Sequence, residues 1–148
     1  MGVSVRCCDE IVDIERKVDS FCCGYSYWNT IKRDIVEAAK RYIHSKEQIG
    51  KELGFALDNT IEGDVVLKFI IVGDKYSEKL KEIDMRGIYL LVNSSDVSHI
   101  FSEEEVIEIG ISIKKIMTYV SSSNKEDIIK VGTIFNKSGK SRKRVIIC

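Results

Sequence analysis

The chain contains no proline, two histidines, one tryptophan and no net charge, with 23 Lys and Arg against 23 Asp and Glu. That balance excludes a wholesale polycation, so any affinity for nucleic acid must come from a local patch. His44 and His99 have no Cys, Asp or Glu at ligand spacing and sit in no nucleophile motif, so neither a metal site nor a catalytic residue is assigned. Long apolar runs are missing too. The longest, residues 65–72, is broken by Lys68 and far too short to span a bilayer, so no membrane partner is expected. Met1-Gly2 is no myristoylation signal, because Arg6 stands where Ser or Thr is required. Cysteine occurs as Cys7-Cys8, Cys22-Cys23 and Cys148, without a CxxC spacing. Adjacent cysteines do not readily bridge each other, and no secretory leader is visible. The expectation is reduced thiols in a cytoplasmic or nuclear protein with no cofactor. The lack of proline, with isoleucine in large excess over leucine, suggests an AT-rich genome such as that of a parasite, a virus or an archaeon.

What is present describes one soluble domain. A chain of 148 residues is long enough to bury a proper core, and 44% hydrophobic with 31% charged residues is a globular composition. Residues 9–21 place Ile11, Ile14, Val18 and Phe21 on one helical face. Asn29 or Thr30 can cap a longer helix whose stripe is Ile31, Ile35, Ala38, Tyr42 and Ile49. The pattern breaks around Gly54 and Asn59-Thr60. Residues 65–72 and 87–92 are β-rich, with helical turns between them over 77–83. Ser102 to Glu105 forms a capping box in sequence form, opening a helix that carries Val106, Ile109, Ile113 and Ile116.

This order predicts an α/β or α+β fold: a mixed sheet sandwiched by helices, with a C-terminal basic β-hairpin. Residues 1–60 are expected as an N-terminal helical extension packed on an RNA-binding-like α/β domain over 61–148.

The last stretch is the most informative. Residues 131–148 read VGTIFNKSGKSRKRVIIC, two β-rich ends around Asn-Lys-Ser-Gly, with Lys137, Lys140, Arg142, Lys143 and Arg144 between them. A basic loop held between strands suits phosphate. It equally suits a solvated hairpin tip that keeps an edge strand from pairing. Gly139-Lys140-Ser141 matches the end of a P-loop, but Ile134 occupies the first glycine position and a strand follows, so that motif is rejected. A helix-turn-helix over 46–61 is also rejected. Asp58, Glu62 and Asp64 would face DNA phosphates with no compensating cation. Glu103 to Glu105 complements a helix dipole and is not a metal site.

Three segments together carry a family resemblance: KFIIVGDKYSEKLKEIDMRGIYLLV (68–92), IMTYVSSSNKEDIIKVG (116–132) and GKSRKRVIIC (139–148). They resemble the ribosomal L-seven-Ae superfamily, small α/β/α RNA-binding proteins that include L-thirty-e and S-twelve-e. The resemblance implies that Gly73 turns the chain into an RNA-facing helix bearing Lys75 and Lys79. It implies RNA held through backbone approach, polar loop contacts and flanking cations.

The resulting expectation is a non-enzymatic protein that binds structured RNA within a ribosome or another ribonucleoprotein. Lys137, Lys140, Arg142, Lys143 and Arg144 would hold phosphates, and Gly73, Lys75 and Lys79 would form a second patch. The alternative is a viral or parasite adaptor that engages a protein partner through the N-terminal face around Phe21, Tyr25, Tyr27 and Trp28. Its sign would be an exposed apolar patch there.

Overall fold

Alternation with period two opens the chain. In strand β1 (Gly2–Cys7), Val3, Val5 and Cys7 are buried, and Ser4 and Arg6 lie on the opposite face. The computed structural model describes residues 2–8, 20–60, 63–94 and 98–148. The helix expected over 9–21 lies outside the described residues except at Ser20 and Phe21, which begin strand β2 (Ser20–Gly24). Helices α1 (Tyr25–His44), α2 (Ile49–Asp58), α3 (Val65–Glu82) and α4 (Arg86–Val92) follow. Then come strand β3 (His99–Phe101), helix α5 (Glu103–Ile116), a 3-10 turn (Met117–Tyr119), helix α6 (Lys125–Lys140) and strand β4 (Val145–Ile147).

These helices and strands make the mixed α/β class expected from the sequence. The sheet runs β2-β1-β4-β3, and every neighbouring pair is antiparallel. Val5 faces Phe21 on one side and Ile147 on the other, while Cys7 faces Val145, which faces Phe101. Those buried side chains turn one face of the sheet to the helices. The opposite face carries Arg6, Ile146 and the half-exposed Ile100 in one cross-strand row.

Residues 1–60 are therefore not an appended helical extension, because β1 is an inner strand of the sheet, held between β2 and β4. Its signal, Val3-x-Val5-x-Cys7, is short and lies before the first helical stripe.

Residues 65–72 and 87–92, expected as strands, are helical in α3 and α4. The Asp64 side chain caps α3 by accepting from the Leu67 backbone N–H at 2.9 Å. A strand would put Leu67, Phe69 and Ile71 on one face. Instead Phe69 and Val72 are buried, and Leu67 and Ile71 are 45% and 40% exposed. The β-branched composition yielded to tertiary burial at helical spacing.

The capping box of α5 forms as expected. Ser102 N–H donates to Glu105 Oε1 at 3.0 Å, and Glu105 N–H donates to Ser102 Oγ at 3.2 Å. Val106, Ile109, Ile113 and Ile116 all enter the core. Two glycines set how closely its neighbours approach. A Cβ on Gly87 would stand 2.4 Å from the Glu108 carbonyl oxygen, and one on Gly132 would stand 2.8 Å from the Ile113 side chain. Arg86 then locks α4 to α5, with Nε and Nη2 donating to the Glu108 carboxylate at 2.6 and 2.8 Å. That hydrogen-bonded carboxylate holds the Arg86 pKa above its ordinary value.

Candidate functional site

The expected basic β-hairpin is a helix, a turn and a strand. Residues 131–135, its first arm, lie inside α6, where Ile128, Val131, Ile134, Phe135 and Ser138 are buried at helical spacing. Asn136 does not start a turn; its Nδ2 donates back to the Gly132 carbonyl at 3.0 Å within the helix. Glu126 and Asp127 in the first turn and Lys137 and Lys140 in the last complement the helix dipole. Only Val145–Ile147 is strand, as β4.

After Lys140 the chain closes a Schellman turn. The Lys143 N–H donates to the Ser138 carbonyl at 2.8 Å, and the Arg142 N–H donates to the Gly139 carbonyl at 3.1 Å. Arg142 occupies the left-handed position of that motif, with φ of 51°. The six-residue wrap brings Lys143 back against the helix that it has just left. As a result Lys137, Lys140 and Lys143 line one cavity of about 340 Å³ together with the hydroxyls of Ser138 and Ser141. Buried Cys7 and Ile134 complete its lining.

Among the described residues, no carboxylate lies within ion-pair distance of Lys140, Arg142 or Lys143. The dipole of α6 accounts for roughly half of one positive charge at this end. The charges of Lys140, Arg142 and Lys143 alone exceed it. The arrangement can hold an anion through charge and hydroxyl donors together.

Gly73, Lys75 and Lys79 do not join this cluster. All three lie on α3, which packs on α1, α2 and α4, whereas α6 packs on α5, β1 and β2. Gly73 is buried, and a Cβ there would stand 2.2 Å from the Tyr89 ring, so the glycine serves helix packing rather than approach to a ligand. Lys79 pairs with Glu52, and the ammonium groups of Lys75 and Lys79 each lie 5.4 Å from the Tyr76 ring centre. The segment 68–92 has no strand–helix–strand order, the order implied by the family resemblance.

The N-terminal aromatic face named for the adaptor alternative is largely covered. Trp28 is fully buried and Phe21 nearly so, while Tyr25 and Tyr27 pack half-buried against the core. Among the described residues, these four side chains form no exposed apolar patch.

At the other end of α6, the Tyr27 hydroxyl donates to the Asp127 carboxylate and stands 3.0 Å from Asn124 Oδ1. Asn124 Nδ2 donates to Asp34 at 2.8 Å. The Asp127 hydrogen bond, with desolvation and the nearby negative charges, pushes the Tyr27 pKa up to about 12. Burial, and then Asp127, also raise the Cys23 thiol. This network pins the start of α6 to α1 and leaves its basic end to face outward.

The five cysteines form no disulfide. His44 stands 3.5 Å from Asp58, and the His99 ring lies 4.5 Å from that of Phe101. No helix among the described residues is long and apolar enough to cross a membrane.

The cavity-lining residues Cys7, Ser138 and Ser141 escaped the sequence reading. Their signal is the spacing of Ile134, Ser138 and Ser141, visible only when the segment is taken as a helix. No protein-family model, curated protein or solved structure matches the chain.

Proposed function

We propose that this protein binds RNA through its phosphate backbone, using the turn that ends α6, without catalysing a reaction on it. One observation carries the proposal: Arg142 fills the left-handed position of the Schellman turn. Folding alone favours glycine there, and a side chain in that conformation costs about 1–2 kcal/mol. A cation at this strained position beside Lys140 and Lys143 supports a reading in which an anionic partner offsets the strain. The hydroxyls of Ser138 and Ser141 add neutral donors at the same cavity, a combination suited to phosphate oxygens. Structured RNA within a ribonucleoprotein offers such phosphates in dense array.

The test is a salt titration of affinity for mixed single-stranded and hairpin RNA, comparing the unaltered chain with a Lys140→Ala, Lys143→Ala double variant. Affinity should fall as salt rises, and the double variant should flatten the log–log slope by about 1.5, the counterions of two phosphate contacts. An unchanged slope would remove these lysines from the interface.

A further inference from the structure

The floor of the cavity at the end of α6 lies below the molecular surface. Ile134, Ser138 and Cys7, three of its lining residues, are 3%, 5% and 6% exposed. Lys140 and Ser141, both exposed, and the half-buried Lys143 stand nearer its mouth. The cavity therefore runs from a cationic rim down to an almost wholly buried hydroxyl.

That hydroxyl has no partner in the fold. Serine and threonine inside a helix commonly bond back to the preceding turn, as Thr133 does to the Ile129 carbonyl at 2.8 Å. The Ser138 hydroxyl makes no hydrogen bond to another described residue and opens on the cavity instead. A buried polar group left unpaired is costly, so this position calls for a polar group that enters from outside. Every polar side chain of the lining can donate a hydrogen bond, and none carries a carboxylate or amide oxygen.

We infer that the cavity seats the terminal phosphomonoester of an RNA strand rather than a phosphate within the chain. The inference rests on the proposed RNA binding and names which phosphate is held. A phosphodiester inside a strand is esterified to a sugar on each side, and the two sugars keep its free oxygens at the surface. A terminal phosphomonoester has one ester, three free oxygens and a charge of about −1.5 to −2 at neutral pH. It can reach down to Ser138 while its other oxygens stay among the lysines. At about 340 Å³ the cavity exceeds the roughly 30 Å³ share of one water by an order of magnitude, which leaves room for a phosphate and the sugar behind it.

One short RNA is titrated against the full chain with hydroxyl ends, with a 5′-phosphate, with a 3′-phosphate, and with each of those phosphates blocked as its methyl ester. The ester keeps a negative charge at the end but removes the dianion and one free oxygen. Ser138→Ala removes the recessed hydroxyl, and urea denaturation of the variant reports whether its fold is retained.

One phosphorylated end should bind about tenfold more tightly than both its methyl ester and the hydroxyl end, the order of one charge-assisted hydrogen bond. Ser138→Ala should reduce that ratio severalfold. Equal binding of each phosphate and its ester, or a ratio unmoved in the folded variant, would overturn the seating and leave backbone binding standing. Displacement of the phosphorylated RNA by adenosine monophosphate at a similar concentration would overturn RNA as the source of the phosphate. Failure of every RNA to bind at low salt would overturn the backbone proposal and this inference with it.

Discussion

The backbone N–H of Lys143 donates to the carbonyl of Ser138 at 2.8 Å, and this bond turns the chain at the end of α6 so that Lys143 faces the cavity beside Lys137 and Lys140. It requires the left-handed conformation of Arg142 between them. Fold and proposed function therefore make opposite demands on one residue. Glycine suits the turn, and arginine suits an anion.

Arg142→Gly separates the two demands. The variant should be more stable by about 0.5–1 kcal/mol in urea denaturation, because relief of the left-handed strain outweighs the added freedom of the unfolded chain. The same variant should bind RNA more weakly at low salt. A loss of stability would show that the Arg142 side chain supports the fold.

The Tyr27–Asp127 hydrogen bond gives a pH signature. The pKa of Tyr27 is raised from its ordinary value near 10 to about 12. The protonated phenol therefore stabilises the folded state fully below pH 10, and that contribution is lost as pH rises through about 12. In a tyrosinate absorbance titration, Asp127→Asn should move one tyrosine back toward the ordinary range. If no high-pH step moves in that variant, the hydrogen bond is not the cause.

Trp28 tests the buried N-terminal face. With no exposed surface, its fluorescence should be blue-shifted and protected from iodide in the native state. Trp28→Ala should cost about 3–5 kcal/mol of stability. Iodide quenching as efficient as in the unfolded chain would place the indole at the surface and restore the adaptor alternative.

What could be read from the sequence followed the strength of each local signal. Ser102 and Glu105 announced α5 because both halves of a capping box were present, and its four core positions follow at helical spacing. The stripe Ile31, Ile35, Ala38, Tyr42 was likewise legible within α1, although Ile49 belongs to α2. The failures share one cause. In 65–72 and 131–135, β-branched residues suggested strands, while the decision lay with burial partners far away in the sequence. Asp64 is a cap for α3 that is legible in the sequence, and it outweighs composition. For α6 no side chain caps the first turn, so the only local sign of a helix was its apolar spacing and its acid-to-base polarity. The cluster Lys137 to Arg144 was recognised from charge alone. Its geometry was not, because the Schellman turn has arginine where glycine would have marked it.

The most direct test of the central claim is residue-level mapping. An amide ¹H–¹⁵N correlation spectrum of the full chain is recorded during titration with a single-stranded RNA oligonucleotide at low salt. The account predicts that the largest shifts fall in residues 137–144 at the end of α6, and that added salt reverses them. Shifts centred on Lys75 and Lys79 of α3, or none at saturating RNA, would contradict it.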